Sequence, residues 1–145
     1  MKLEFKNIKE ENLKDIAKKL LSEVEFFFQK ENRSCVIFLK GDLGAGKTTF
    51  TKYFAKIFGI EEDIISPTFV LRKDYKNLIH IDGYRFEIEE EGHSLELNRE
   101  LNHTGKIIFI EWPERFVKEV GINPDFTVDF RHLNDKERDI SIIKF

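Results

Sequence analysis

The chain has one cysteine, one methionine, one tryptophan and three prolines in 145 residues. A lone cysteine excludes an internal disulfide and argues against a thiolate metal site; within the run Cys-Val-Ile-Phe-Leu, Cys35 reads as a small buried hydrophobe. Long hydrophobic runs are lacking too. Cys35–Leu39 and Ile107–Ile110 fall far short of the roughly 20 apolar residues that span a bilayer, so no membrane association is expected. The opening MKLEFKNIKEEN has no apolar stretch of signal-peptide length, which predicts a cytoplasmic location. Charge is not of one sign: 24 basic against 27 acidic residues give −3, which argues against a nucleic-acid surface made by this chain alone.

What is present is a charged, Phe-rich globular composition of one-domain length, with 15 Phe, 41% hydrophobic and 35% charged residues. Leu3 and Phe5 alternate with charges, suggesting a short strand. Leu13, Ile16, Ala17, Leu20, Leu21, Val24, Phe27 and Phe28 then recur at spacings of three and four. That stripe marks an amphipathic helix whose mixed-sign polar face suits packing on a sheet better than lying on a membrane. Cys35–Leu39 reads as a strand buried on both faces. A second helical pattern carries Phe50, Tyr53, Phe54, Ile57 and Phe58, with Gly59 placed to end it.

Phe69–Tyr75 and Leu78–Asp82 read as strands joined at Lys76-Asn77. Lys106–Trp112 holds another apolar strand, ending in Glu111, and Pro113 suits the first turn of a brief helix through Val120. Phe126–Leu133 and Ile140–Phe145 around Asn134–Glu137 read as a hairpin. A short helix is expected within Glu87–Leu101. Together these predict a single α/β domain over residues 1–145: a central sheet flanked by helices, with a C-terminal β-hairpin.

The chemistry is concentrated in Gly41-Asp42-Leu43-Gly44-Ala45-Gly46-Lys47-Thr48, which fits G-x-x-x-x-G-K-[ST] and is followed by Thr49. A buried strand precedes it and an amphipathic helix follows, as a phosphate loop requires. Its glycines let successive N–H groups turn toward one anion, and the helix start adds its positive dipole end. Lys47 can then reach β- and γ-phosphates, and the Thr48 hydroxyl can ligate magnesium. A solvated lysine on a flexible turn is the bland alternative, and the strand–loop–helix context disfavours it.

Magnesium chemistry also needs a carboxylate near Thr48. Glu111 and Asp82, each ending an apolar strand, are the candidates for binding the metal or orienting the attacking water. Ordinary strand-end acids facing solvent are the alternative for each. No N-K-x-D segment follows the loop, so ATP is expected rather than GTP. His80, His93, His103 and His132 lack metal-ligand spacing and are expected as surface or satisfied core residues.

Four blocks together resemble one family: Gly41–Thr49, Ser66-Pro-Thr-Phe69, His80-Ile-Asp-Gly-Tyr-Arg85 and Glu111-Trp-Pro-Glu114. In order and spacing they are similar to the TsaE-type (YjeE-like) P-loop ATPases of bacterial tRNA threonylcarbamoyladenosine biosynthesis, and the likeness runs through nearly the whole chain. The resemblance implies a P-loop NTPase-like fold that binds and slowly hydrolyses ATP with magnesium. It implies docking on a TsaB–TsaD pair that modifies the adenosine next to the tRNA anticodon, with tRNA met only through those partners. By the same resemblance Lys47 contacts phosphate, Thr48 and Glu111 hold magnesium, Asp82 serves metal-linked catalysis, and Ser66 and Thr68 lie in a nucleotide-sensing switch. The chain departs from the family at Gly83, where Leu usually follows the aspartate, and matches only weakly over Glu89–Leu101.

Two other readings use the same loop. A stand-alone small-molecule kinase needs a lid and an acceptor pocket with added arginines, but the arginines here are scattered. A nucleotide-gated binding module without turnover would not need both Asp82 and Glu111.

Overall fold

Residues 35–40, 78–82 and 107–111 are almost wholly apolar on both faces, the pattern of strands covered by layers on either side. The computed structural model, which describes residues 1–42, 44–65, 72–83, 97–115 and 121–145, sets them side by side as the heart of a sheet. In chain order the elements are β1 (Lys2–Ile8), α1 (Leu13–Lys30), β2 (Cys35–Lys40), α2 (Lys47–Ile57), β3 (Arg72–Tyr75), β4 (Leu78–Asp82), α3 (Leu97–Glu100), β5 (Ile107–Glu111), β6 (Phe126–His132) and β7 (Arg138–Lys144). Short 3-10 turns occupy Glu10–Asn12 and Pro113–Arg115.

One seven-stranded mixed sheet results, in the order β1-β7-β6-β2-β5-β4-β3. β2 pairs in parallel with both β5 and β6, and β4 lies parallel to β5. The C-terminal hairpin, β6 and β7, joins this sheet rather than standing apart. Its turn is held by Asn134, whose side-chain oxygen accepts the N–H groups of Lys136 (2.9 Å) and Glu137 (3.0 Å). Asp125 docks the start of β6 on the start of β2: its carboxylate accepts from the Arg33 guanidinium at 3.0 and 2.7 Å and from the Val36 N–H at 2.8 Å.

β1 is longer than the Leu3–Phe5 pattern suggests. Its register on β7 shifts between Phe5 and Ile8, where Asn7 takes a φ of 53°. That bulge twists an edge strand away from further pairing.

Alternation along the strands makes two cores. Toward α1 and α2 point Cys35, Ile37, Leu39, Phe109 and Phe126; toward the other side point Val36, Phe38, Ile79, Ile81, Ile108 and Ile110. Both long helices lie on the first face, where Phe54 meets Phe109 edge-on at 4.8 Å and Phe50 meets Phe130 at 5.5 Å. Each ring so buried contributes about 1.5–3 kcal/mol by transfer alone. Among the described residues, helical cover of the second face comes only from short α3, through Leu97. The expected helix after Pro113 begins as the 3-10 turn, and its continuation lies outside the described residues. The Phe69–Tyr75 strand is seen as Arg72–Tyr75, its earlier part also lying outside.

Candidate functional site

The parallel strands β2, β4 and β5 all end at the same edge of the sheet, and the predicted site residues sit on those ends. β2 runs into the glycine-rich loop, β5 ends in Glu111 and β4 ends in Asp82. Asp82 and Glu111 are direct partners in the β4–β5 register, so the two carboxylates lie beside each other. Both are nearly buried, at 6% and 3% exposure, which excludes ordinary solvent-facing acids. Gly83 does not disturb this arrangement. Its N–H donates to the Glu111 carbonyl at 2.8 Å, carrying the pairing one residue past Asp82.

The loop approaches the sheet closely. Gly41 takes a φ of 144°, and a Cβ there would stand 2.6 Å from the Phe130 carbonyl oxygen, so only glycine fits. Gly46 takes a φ of 104° as the residue leading into α2, and no side chain caps that helix. The first-turn amides are therefore left to an external acceptor, as an anion cradle requires. Ala45, Lys47, Thr48 and Thr49 follow the turn into α2, while Asp42 is exposed at its outer side. Leu43, Ser66, Thr68, Phe69, Tyr84, Arg85 and Phe86 lie outside the described residues.

Lys47 is only 5% exposed. Its ammonium donates to the Gly41 carbonyl and lies 4.0 Å from the centroid of the Trp112 ring. Burial draws it below the usual lysine range, while Glu111, Asp82, Glu114 and Asp42 pull the other way. Trp112 itself has a φ of 54°, a left-handed conformation uncommon outside glycine and asparagine, which turns the chain sharply after Glu111.

These groups border one cleft of about 310 Å³, lined by Gly44, Lys47, Thr48, Asp82, Glu111 and Arg138 among others. The size suits a phosphate chain, and the lining supplies both signs of charge. Among the described residues no group of three or more acidic, histidine or cysteine side chains could cage a metal ion. A hydroxyl and one or two carboxylates instead suit magnesium, which keeps waters and leans on phosphate oxygens. Thr48, Glu111 and Asp82 are the residues that could hold it.

Two residues escaped the sequence: Arg138, which lines the cleft, and His80, which does not line it but contacts Glu111, which does. Arg138, on β7, is buried beside Gly46, and its Nε meets no hydrogen-bond partner among the described residues. His80 is neither on the surface nor satisfied, contrary to expectation. It is fully buried on β4, with Nε2 2.6 Å from Glu111 Oε2 and Nδ1 without a partner among the described residues. Strand alternation carried the available signal, since His80 and Asp82 share a face two residues apart.

Comparison with known proteins fits this geometry. The family model described as "Threonylcarbamoyl adenosine biosynthesis protein TsaE" matches residues 8–140. The tRNA threonylcarbamoyladenosine biosynthesis protein TsaE of Rickettsia typhi is 38% identical over 125 residues, covering 83% of this chain and 85% of that one. The protein of the same name from Bacillus subtilis is 38% identical over 110 residues, 73% of this chain and 67% of the relative. The crystal structure of Bacillus subtilis YdiB superposes with a TM-score of 0.66 at 28% identity, covering 99% of this chain and 86% of that one.

Proposed function

The chain belongs to the TsaE family and is a nucleotide-binding protein of tRNA threonylcarbamoyladenosine biosynthesis; from that premise we propose that it is a magnesium-dependent ATPase. It hydrolyses ATP slowly by itself and works in the cytoplasm within an assembly. Its partners are a TsaB–TsaD pair, through which alone it meets tRNA. The observation that carries the reading is the meeting of Lys47, Thr48, Asp82 and Glu111 in one cleft at the uncapped start of α2.

In this reading the α2 amides and the loop from Gly41 to Thr49 cradle the phosphates. Lys47 exchanges its bond to the Gly41 carbonyl for β- and γ-phosphate oxygens. Two buried carboxylates beside a triphosphate would repel it strongly without a cation. Thr48 and Glu111 would hold magnesium, which when bound neutralises charge on the phosphate oxygens. Asp82 would orient the attacking water. Ser66 and Thr68 would sense the γ-phosphate, linking turnover to the shape presented to the partners.

The test is ATP hydrolysis with and without the TsaB–TsaD pair, for the native chain and for Lys47→Ala and Glu111→Ala. Each substitution is expected to lower turnover about 100-fold or more, or roughly 2.7 kcal/mol of transition-state stabilisation. Turnover untouched by both would sink the site assignment. Failure to bind the pair in any nucleotide state would undo the partnership. Passage of phosphate to a metabolite would make the protein a kinase instead.

A further inference from the structure

We propose that His80 is a positioning residue for Glu111, fixing its carboxylate at the edge of the phosphate cleft through a buried hydrogen bond. The inference rests on the reading of Glu111 as a working carboxylate. His80 occupies a place where a hydrocarbon would ordinarily be found. It sits mid-strand on β4, on the same face as Leu78, and pairs in register with Phe109 of β5. It has no exposure, and its Nδ1 has no partner among the described residues. A half-satisfied polar ring is a worse core filler than Leu or Phe, because the unpaired nitrogen has lost water without replacement. The ring's one bond among the described residues, 2.6 Å from Nε2 to Glu111 Oε2, is therefore the reason to have a histidine here.

The direction of that bond follows from the carboxylate, which only accepts, so Nε2 carries the hydrogen. One Glu111 oxygen is thereby engaged, and Oε1 is left for a cation or its water. Without the anchor, a glutamate with three side-chain torsions can swing toward a neighbouring positive charge. Lys47 is one such charge in the same cleft, and Glu111 is the carboxylate that acts on its ammonium most strongly. No Lys47–Glu111 ion pair forms; His80 holds the carboxylate instead. Both partners of the phosphate chemistry are thus kept from neutralising each other before nucleotide arrives.

The experiment compares His80→Leu, His80→Gln and His80→Asn in the full chain. Gln carries an N–H donor near the reach of Nε2, whereas the Asn amide reaches only as far as Nδ1. For Leu and Asn we expect kcat to fall about 10–100-fold, the range seen when an orienting partner is removed. ATP affinity and melting temperature should stay near native, and Gln should recover most of the loss. Native turnover in Leu, or equal damage in all three, would overturn the proposal; if Leu does not fold, the Gln–Asn contrast decides. A second readout needs no nucleotide. Nitrogen-15 spectra of the imidazole should show Nε2 protonated, with a resonance that moves in Glu111→Gln. A ring protonated on Nδ1 alone, or one indifferent to Glu111→Gln, would refute the contact. If the native chain does not hydrolyse ATP, the ATPase reading fails, and those spectra still judge His80.

Discussion

At the scale of single residues, the phosphate loop is held by steric limits as much as by charge. Gly41→Ala must place a Cβ 2.6 Å from the Phe130 carbonyl and keep a φ of 144°. Gly44→Ala has a φ of 78° and nothing within 4 Å, so it carries backbone strain alone. Strain of that kind costs about 1–3 kcal/mol. Gly41→Ala should exceed it, since the clash is with backbone that cannot rotate away. Urea unfolding midpoints check the ordering, and a Gly41→Ala midpoint at or above that of Gly44→Ala would refute the packing argument. The glycine spacing was legible because the motif is local, eight consecutive residues from Gly41 to Thr48, whereas the close approach of Gly41 to Phe130 was not. For His80 only the face was legible, from its two-residue spacing to Asp82; its bond was not. Its partner is 31 residues away on a neighbouring strand, and metal-ligand spacing within one segment cannot reveal a cross-strand pair.

At the scale of elements, helices and the hairpin could be read from periodicity and turn chemistry, but the joints between elements could not. That both long helices share one face, and that the hairpin attaches in parallel to β2, depend on pairings far apart in sequence. Glu100 is such a joint. From α3 it accepts from Lys106 at 2.6 Å, just before β5, and from Arg72 of β3 at 3.2 Å. The Lys106 bond, more than the Arg72 contact, holds the Glu100 carboxyl below its ordinary 4.5. A folded-state value below the unfolded one means that the charged form favours folding. That contribution is full above about pH 4.5 and is lost as pH falls through the lowered folded value. Glu100→Gln should therefore be less stable than the native chain at pH 7, and the gap should close as the pH drops below 4.5. Denaturant midpoints across pH 3–7 measure it; a gap constant with pH would show that the loss is one of packing alone.

At the scale of the whole molecule, the site and the core are one construction. Glu111, Asp82 and the loop are the ends of β5, β4 and β2, the buried middle of the sheet, so the cleft cannot open without unpairing the strands that hold the fold together. A reporter is built in. Trp112 is the only tryptophan, and its ring faces the Lys47 ammonium at 4.0 Å. ATP that draws Lys47 onto its phosphates removes that cation from the ring, so tryptophan emission should change on saturation with ATP. The change should be absent in Lys47→Ala, where no ammonium is present to move. Heating should give the same midpoint by tryptophan emission and by far-ultraviolet circular dichroism, because site and sheet melt together. Free ATP at about 100 times its dissociation constant adds roughly 2.7 kcal/mol, equivalent to roughly 5–10 °C for a chain of this size. Both midpoints should rise by that amount together. A tryptophan midpoint well below the dichroism midpoint would mean that the strand ends fray independently of the sheet, and the cleft would then be an appendage to the fold and not its edge.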